Sequence, residues 1–172
     1  DFDESLYGTC FVIGGDYTIS NNTFEALGDD LAISIWNSPS AAGKAAITDN
    51  TFTLGEEAYG IRFYCNPSWG ANGGDASYVT IERNKFIGDC VYQIRNNDGW
   101  TGTVNASHNY FGGTSIKSAY GEDDTSIGSV VAEPYYTDEA MSTLNTDPPA
   151  YILPNADGDG NHSTIEEAIQ DA

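Results

Sequence analysis

The chain has 172 residues, enough for one compact domain or one elongated repeat domain. Its 26 acidic against 6 basic side chains give a formal charge of −20. That balance disfavours nucleic-acid phosphates and anionic membranes, and it suits a high-salt or calcium-rich exterior where self-repulsion is screened, such as a halophilic source.

An apolar fraction of 40% with eleven Tyr and seven Phe argues against wholesale disorder, and no apolar run approaches transmembrane length. The opening residues, DFDESLYG, contain no initiator Met and no signal peptide, as expected of a chain whose leader has been removed or of a segment of a larger protein. Cys10, Cys65 and Cys90 form no C-x-x-C pair and are too few for a disulfide scaffold. They are compatible with one bridge and one thiol, or with three thiols.

Four segments of one form then follow in order: TISNNTFEALG from Thr18, AITDNTFTLG from Ala46, TIERNKFIG from Thr80 and NASHNYFGG from Asn105. Each places Phe two residues after Asn: Asn22 with Phe24, Asn50 with Phe52, Asn84 with Phe86, and Asn109 with Phe111. Ile19, Ile47 and Ile81 sit three residues before the Asn, and Ala106 takes that place in the fourth. Between these segments run short stretches of period two: LAISIW from Leu31, YGIRFYC from Tyr59 and VYQIR from Val91. Asn, Gly and Asp punctuate them all.

The spacing predicts strands coiled so that each turn stacks on the last, because one turn cannot bury its own apolar face. Ile and Phe would then form internal columns. Asn at equivalent corners tolerates left-handed dihedrals, bonds the local backbone, and lies within reach of the next Asn. A β-sandwich whose hairpin ends carry N-x-F is the competing arrangement.

The I-x-x-N-x-F-x-G pattern resembles the repeats of the pectin-lyase-like superfamily, and HNYFGG from His108 with VVAEPYYTD from Val130 resembles the ending of such repeats. The resemblance implies an all-β, right-handed parallel β-helix, a solenoid, over residues 1–137. DGDGNHSTIEEAIQDA from Asp157 resembles the opening of a β-helix domain, where a short capping helix follows. Residues 138–150 then read as a linker, and 151–172 as a cap-like segment or the start of a further unit. The superfamily spans lyases, hydrolases, esterases, adhesins and structural surface proteins, so the resemblance implies architecture more than activity.

The candidate metal loop is NADGDGNHSTIE, with Asn155, Asp157, Asp159 and Glu166 at calcium-ligand spacing and Gly160 at the sharp turn. Asn at the first position and His162 at the eighth depart from that pattern, and a turn with a helix capped by Ser163 or Thr164 explains the same residues. Asn21, Asn105 and Asn161 head glycosylation sequons. Acidic pairs at Asp29–Asp30 and Glu56–Glu57, with Glu122 to Asp124, read as a solvated face, as cation bridges or as hydrolase carboxylates. Arg62 and Arg95, with Gln93 and Asp89, match fragments of lyase or esterase arrangements and complete neither. His108 and His162 lack the company a zinc site needs. Trp36, Trp69 and Trp100 with Tyr59, Tyr64 and Tyr92 suit sugar stacking or packing equally, and CNPSWGANGGDAS from Cys65, which interrupts the repeat, is the best candidate for an exposed binding or contact loop.

These residues predict a non-catalytic structural domain at the cell surface or outside the cell. It would self-associate or form part of a tandem array, with calcium between acidic faces and glycans as further partners. The alternatives are a polysaccharide lyase or hydrolase, and a glycan-binding adhesin.

Overall fold

A computed structural model describes residues 8–12, 14–96, 99–112 and 130–145 of the protein. The candidate metal residues Asn155, Asp157, Asp159 and Glu166, the sequon at Asn161, the acidic run from Glu122 and the expected capping helix lie outside the described residues.

The strands come in coils. After β1 (Gly8–Val12), a first coil runs through β2 (Tyr17–Ser20), β3 (Thr23–Ala26) and β4 (Leu31–Ile35). A second repeats it with β5 (Ala45–Thr48), β6 (Thr51–Leu54) and β7 (Tyr59–Phe63), then adds the two-residue β8 (Gly74–Asp75). A third has β9 (Val79–Glu82), β10 (Lys85–Ile87), β11 (Tyr92–Asn96) and β12 (Trp100–Thr101), and β13 (Val104–Asn105) and β14 (Val130–Val131) follow.

Every pairing between these strands is parallel. One sheet stacks β2, β5, β9, β13 and β14, a second β3, β6 and β10, and a third β1, β4, β7 and β11. A small fourth pairs β8 with β12, and Asn37 bridges to Gly73 beside it. The chain thus visits the first, second and third sheets in turn and returns one rung along, which makes it a parallel β-solenoid.

Period-two sequence explains the register. Ile19, Ile47 and Ile81 pair in one column, Phe24, Phe52 and Phe86 in another, and Ile33, Ile61 and Ile94 in a third. Ile33, Ile35, Ile47, Phe52, Ile61, Phe63, Ile81 and Ile94 have no exposed surface. Each coil alone would leave its apolar side wet; stacking removes it from water. β4 departs from simple alternation, because all five of its residues are buried. Ser34 is one of them, and its hydroxyl accepts a 2.9 Å hydrogen bond from Trp36 Nε1.

At the far end, Val130 pairs with Val104, and Tyr136 bridges to Tyr110. The chain then doubles back. Leu144 bridges antiparallel to Tyr136, Thr137 N–H donates to Thr143 O at 2.9 Å, and Asn145 N–H donates to Tyr135 O at 2.7 Å. Asp138 fastens this turn by accepting from the Ser142 and Thr143 N–H groups and the Ser142 hydroxyl. Those bonds hold its carboxyl below the usual range despite an opposing desolvation effect.

Candidate functional site

Two features stand out: an internal ladder of asparagines, and an arginine–aromatic face on the third sheet. The ladder begins with backbone shape. Asn21, Asp49, Arg83 and His108, each one residue before a ladder Asn, have φ between 56° and 58°. This left-handed step turns the chain from the first sheet into the second and aims the next side chain along the stack. Asn tolerates the conformation and Arg does so less readily, so Arg83 is held there by its surroundings.

From that corner each Asn reaches the next rung. Asn22 N–H and Nδ2 donate to Asn50 Oδ1 at 3.0 and 3.2 Å. Asn50 does the same to Asn84 Oδ1, both at 3.0 Å, and Asn84 to Asn109 Oδ1 at 2.8 and 3.0 Å. The amides also serve backbone carbonyls: Asn50 Nδ2 reaches Ile19 O and Thr48 O, Asn84 Nδ2 reaches Ile47 O and Glu82 O, and Asn109 Nδ2 reaches Ile81 O, Ala106 O and Ser107 O. Asn50, Asn84 and Asn109 are buried, where an unserved polar group is costly. One rung on, Tyr136 N–H donates to Asn109 O, so Tyr135 stands where another Asn would fall.

Two residues along from the ladder, the phenylalanines stack. Ring centroids are 5.0 Å apart for Phe24–Phe52, 4.7 Å for Phe52–Phe86 and 5.4 Å for Phe86–Phe111, with interplanar angles of 11°, 7° and 13°.

On the third sheet, Arg62 pairs in register with Arg95, and Ser34 precedes them in the same column. The Arg62 guanidinium lies 4.8 Å over the Tyr64 ring and that of Arg95 5.6 Å over Tyr92. Tyr64 also contacts Trp36 and Trp69, at centroid distances of 5.9 and 6.3 Å. Tyr92 packs 4.9 Å from Tyr59, and burial pushes its phenol up to about 12 against the opposing pull of both arginines. Trp69 stands at the tip of a 3-10 turn, Pro67–Trp69, capped by Asn66. Asn37 steadies that loop by accepting from Asn72 N–H and donating to Gly70 O. Trp69 remains 45% exposed, whereas Trp100 is buried and donates its indole N–H to Tyr64 O.

The other candidates scatter. Asn21 is exposed at its left-handed corner, and Asn105 is exposed on β13, accepting from Ser107 N–H at 3.1 Å. The Asp29–Asp30 and Glu56–Glu57 turns are exposed. Among the described residues no group of three or more His, Cys, Asp and Glu side chains is placed to hold a metal ion. His108 Nδ1 lies 3.1 Å from Ser107 Oγ. Cys65 and Cys90 are free thiols, and burial pushes Cys90 up to about 11. Gln93 is buried with its Oε1 unpartnered. Sequence reasoning missed Asn96, which pairs with Phe63 in an apolar column and has both amide atoms buried without a partner. A polar residue aligned with Ile35 and Phe63 was the available signal.

Among the described residues no helix is long and apolar enough to cross a membrane. No protein-family model, curated protein or solved structure matches the chain.

Proposed function

We propose that the chain is a right-handed parallel β-helix of the pectin-lyase-like kind, serving as a non-catalytic structural domain of an acidic cell-surface or extracellular assembly. The observation that carries this reading is the continuous ladder of Asn22, Asn50, Asn84 and Asn109 beside the stacked phenylalanines. A molecule that spends its buried polar groups on holding coils together is built for persistence of shape. Its exposed acidic turns offer carboxylates to calcium shared between molecules, and exposed Asn21 and Asn105 suit glycosylation outside the cell. The loop at Asn155, Asp157, Asp159 and Glu166 is a further calcium candidate. Calorimetry comparing the native chain with Glu166→Ala tests it, and equal heats would remove it.

The assembly reading is tested by size-exclusion chromatography with light scattering, in calcium and then in chelator. Large species that shrink in chelator are expected. A monomer at all concentrations in both conditions would overturn the reading. Glycan binding is the second reading, favoured by exposed Trp69 on its braced loop beside Tyr64. A glycan array on which Trp69→Ala loses binding would bring it forward. The lyase and hydrolase reading requires release of saccharide fragments in a polysaccharide digest.

A further inference from the structure

We infer that the open edge of β2, with the carboxamide of Asn22 at its corner, is a docking site for one strand of a separate polypeptide that carries an I-x-x-N corner of this chain's own kind. The inference stands on the stacking of coils and does not depend on the assembly reading.

The ladder shows what its first member lacks. Oδ1 of Asn50, Asn84 and Asn109 each accepts two hydrogen bonds from the rung before, whereas among the described residues no donor reaches Oδ1 of Asn22. The amides of Asn50, Asn84 and Asn109 also reach back to the carbonyls of Ile19, Ile47 and Ile81 on that earlier rung. Nδ2 of Asn22 donates to Ser20 O and Asn50 Oδ1 and meets no such carbonyl. Asn22 is exposed where its successors are buried.

Its strand is open in the same direction. β2 ends the five-stranded sheet and pairs on one side with β5. Tyr17 N–H donates towards β5, to Lys44 O, so the N–H and C=O of Thr18 and the N–H of Ser20 point the other way. Ile19 is only partly buried, although the next members of its column, Ile47 and Ile81, have no exposed surface. Phe24, two residues past the corner, is buried, and the third sheet runs one rung further than the first, to β1. The opening is therefore one strand wide. It offers backbone donors and acceptors, an apolar seat at Ile19, and a carboxamide at its end.

Complementarity identifies the occupant. Within the chain this surface is covered at Asn50, Asn84 and Asn109 by a strand whose Asn supplies both donors and whose Ile supplies the carbonyl. A second copy joined end to end does not fit. Its far end carries Tyr135 in the asparagine's place, and Leu144 lies against Tyr136 where the next coil would stack. Two open ends set face to face would oppose one Asn22 oxygen to another, acceptor against acceptor. A strand from a separate polypeptide serves every open group, and main-chain bonding along a sheet edge supplies its affinity.

The probe is the acetylated and amidated peptide VTIERNK, residues 79–85, titrated into the isotopically labelled whole chain and followed by NMR. Saturable shifts are expected at the amides of Thr18, Ser20 and Asn22, with slowed hydrogen exchange at Thr18 and Ser20. Replacing the peptide's asparagine, Asn84→Ala, should weaken binding about tenfold, and Asn22→Ala in the chain should do the same. The spectrum itself reports whether the Asn22→Ala chain is folded, and the peptide variant carries the test if it is not. Equal affinity for the Asn84→Ala peptide, shifts centred on another edge, or no saturable binding would each overturn the site. None of these outcomes bears on calcium-dependent assembly, which has its own test.

Discussion

The carboxamide oxygen of Asn84 takes two hydrogen bonds from Asn50, one from its backbone N–H and one from Nδ2, each 3.0 Å long. Removing Asn84 therefore disables two neighbours. Asn84→Ala leaves the Asn50 N–H and the carbonyls of Ile47 and Glu82 short of a partner, and a buried unserved group costs about 1–3 kcal/mol. The expected loss is about 3–5 kcal/mol, against about 1 kcal/mol for Asn22→Ala at the exposed end. Urea denaturation compares them, and equal losses would mean that the ladder adds nothing beyond local turn bonding.

The aromatic column makes a second, independent claim. Phe52 is stacked on both sides, so Phe52→Ala should cost about 3–5 kcal/mol through lost burial and an unfilled cavity. A double-mutant cycle between Phe52 and Phe86 should show coupling of about 0.5–1.5 kcal/mol. Additive losses would reduce the stack to two separate burials.

Glycines in this fold differ in what they are for. A Cβ at Gly60 would run into the backbone carbonyl of Gln93 on the next coil, and backbone cannot swing aside. Gly28 has φ of 63° and open space around it, so only backbone strain opposes a side chain there. Gly60→Ala should cost about 3 kcal/mol or more, and Gly28→Ala about 1–2 kcal/mol. Thermal melts that rank them the other way would contradict the packing between β7 and β11.

Alkali should unfold the protein through Tyr92. Its folded value near 12 stands above the ordinary 10.0 because burial favours the neutral phenol. That preference is complete below pH 10 and lost as pH rises towards 12, so stability falls across this window by about 2–3 kcal/mol. Cys90, raised from 9.0 to about 11, adds a loss of the same sign beginning lower. Tyr92→Phe should flatten the upper part of the decline in urea titrations at stepped pH. An unchanged slope would assign it elsewhere.

The ion pair of Arg83 Nη2 with Asp49 Oδ1, 2.7 Å long, joins side chains 63% and 33% exposed. Arg83→Gln is expected to cost no more than about 1 kcal/mol. A larger loss by urea denaturation would point to the left-handed backbone at Arg83 rather than the charge.

Much of the architecture was legible because period-two sequence and a recurrent N-x-F carry physical instructions. Ile and Phe must be covered by a like coil, and the parallel register follows. Other features left no comparable trace. The left-handed step falls on Asn21, Asp49, Arg83 and His108; Asn, Asp and His enter that region most readily among non-glycine residues, but Arg does not, so no single residue type marks the step in the sequence. The small sheet of β8 and β12 is too short to alternate. Arg62 and Arg95 could be matched along their strands, but their rest on Tyr64 and Tyr92 depends on ring placements that only packing decides. Asn96 was visible only once strands were aligned, since in isolation it resembles any residue closing a strand.

Every ladder bond points the same way, from N–H and amide on one rung to oxygen on the next, at sequence intervals of 28, 34 and 25 residues. The interval is free to vary because the excess is accommodated in loops outside the ladder. A lineage that lost residues 50–83 would place Asn84 where Asn50 had stood, with Phe86 following in the place of Phe52. One that duplicated them would lengthen the stack without a foreign contact. The whole coil is then the unit of inheritance: length in this molecule changes by copying or deleting a turn, and the corner asparagine is the joint at which the cut heals.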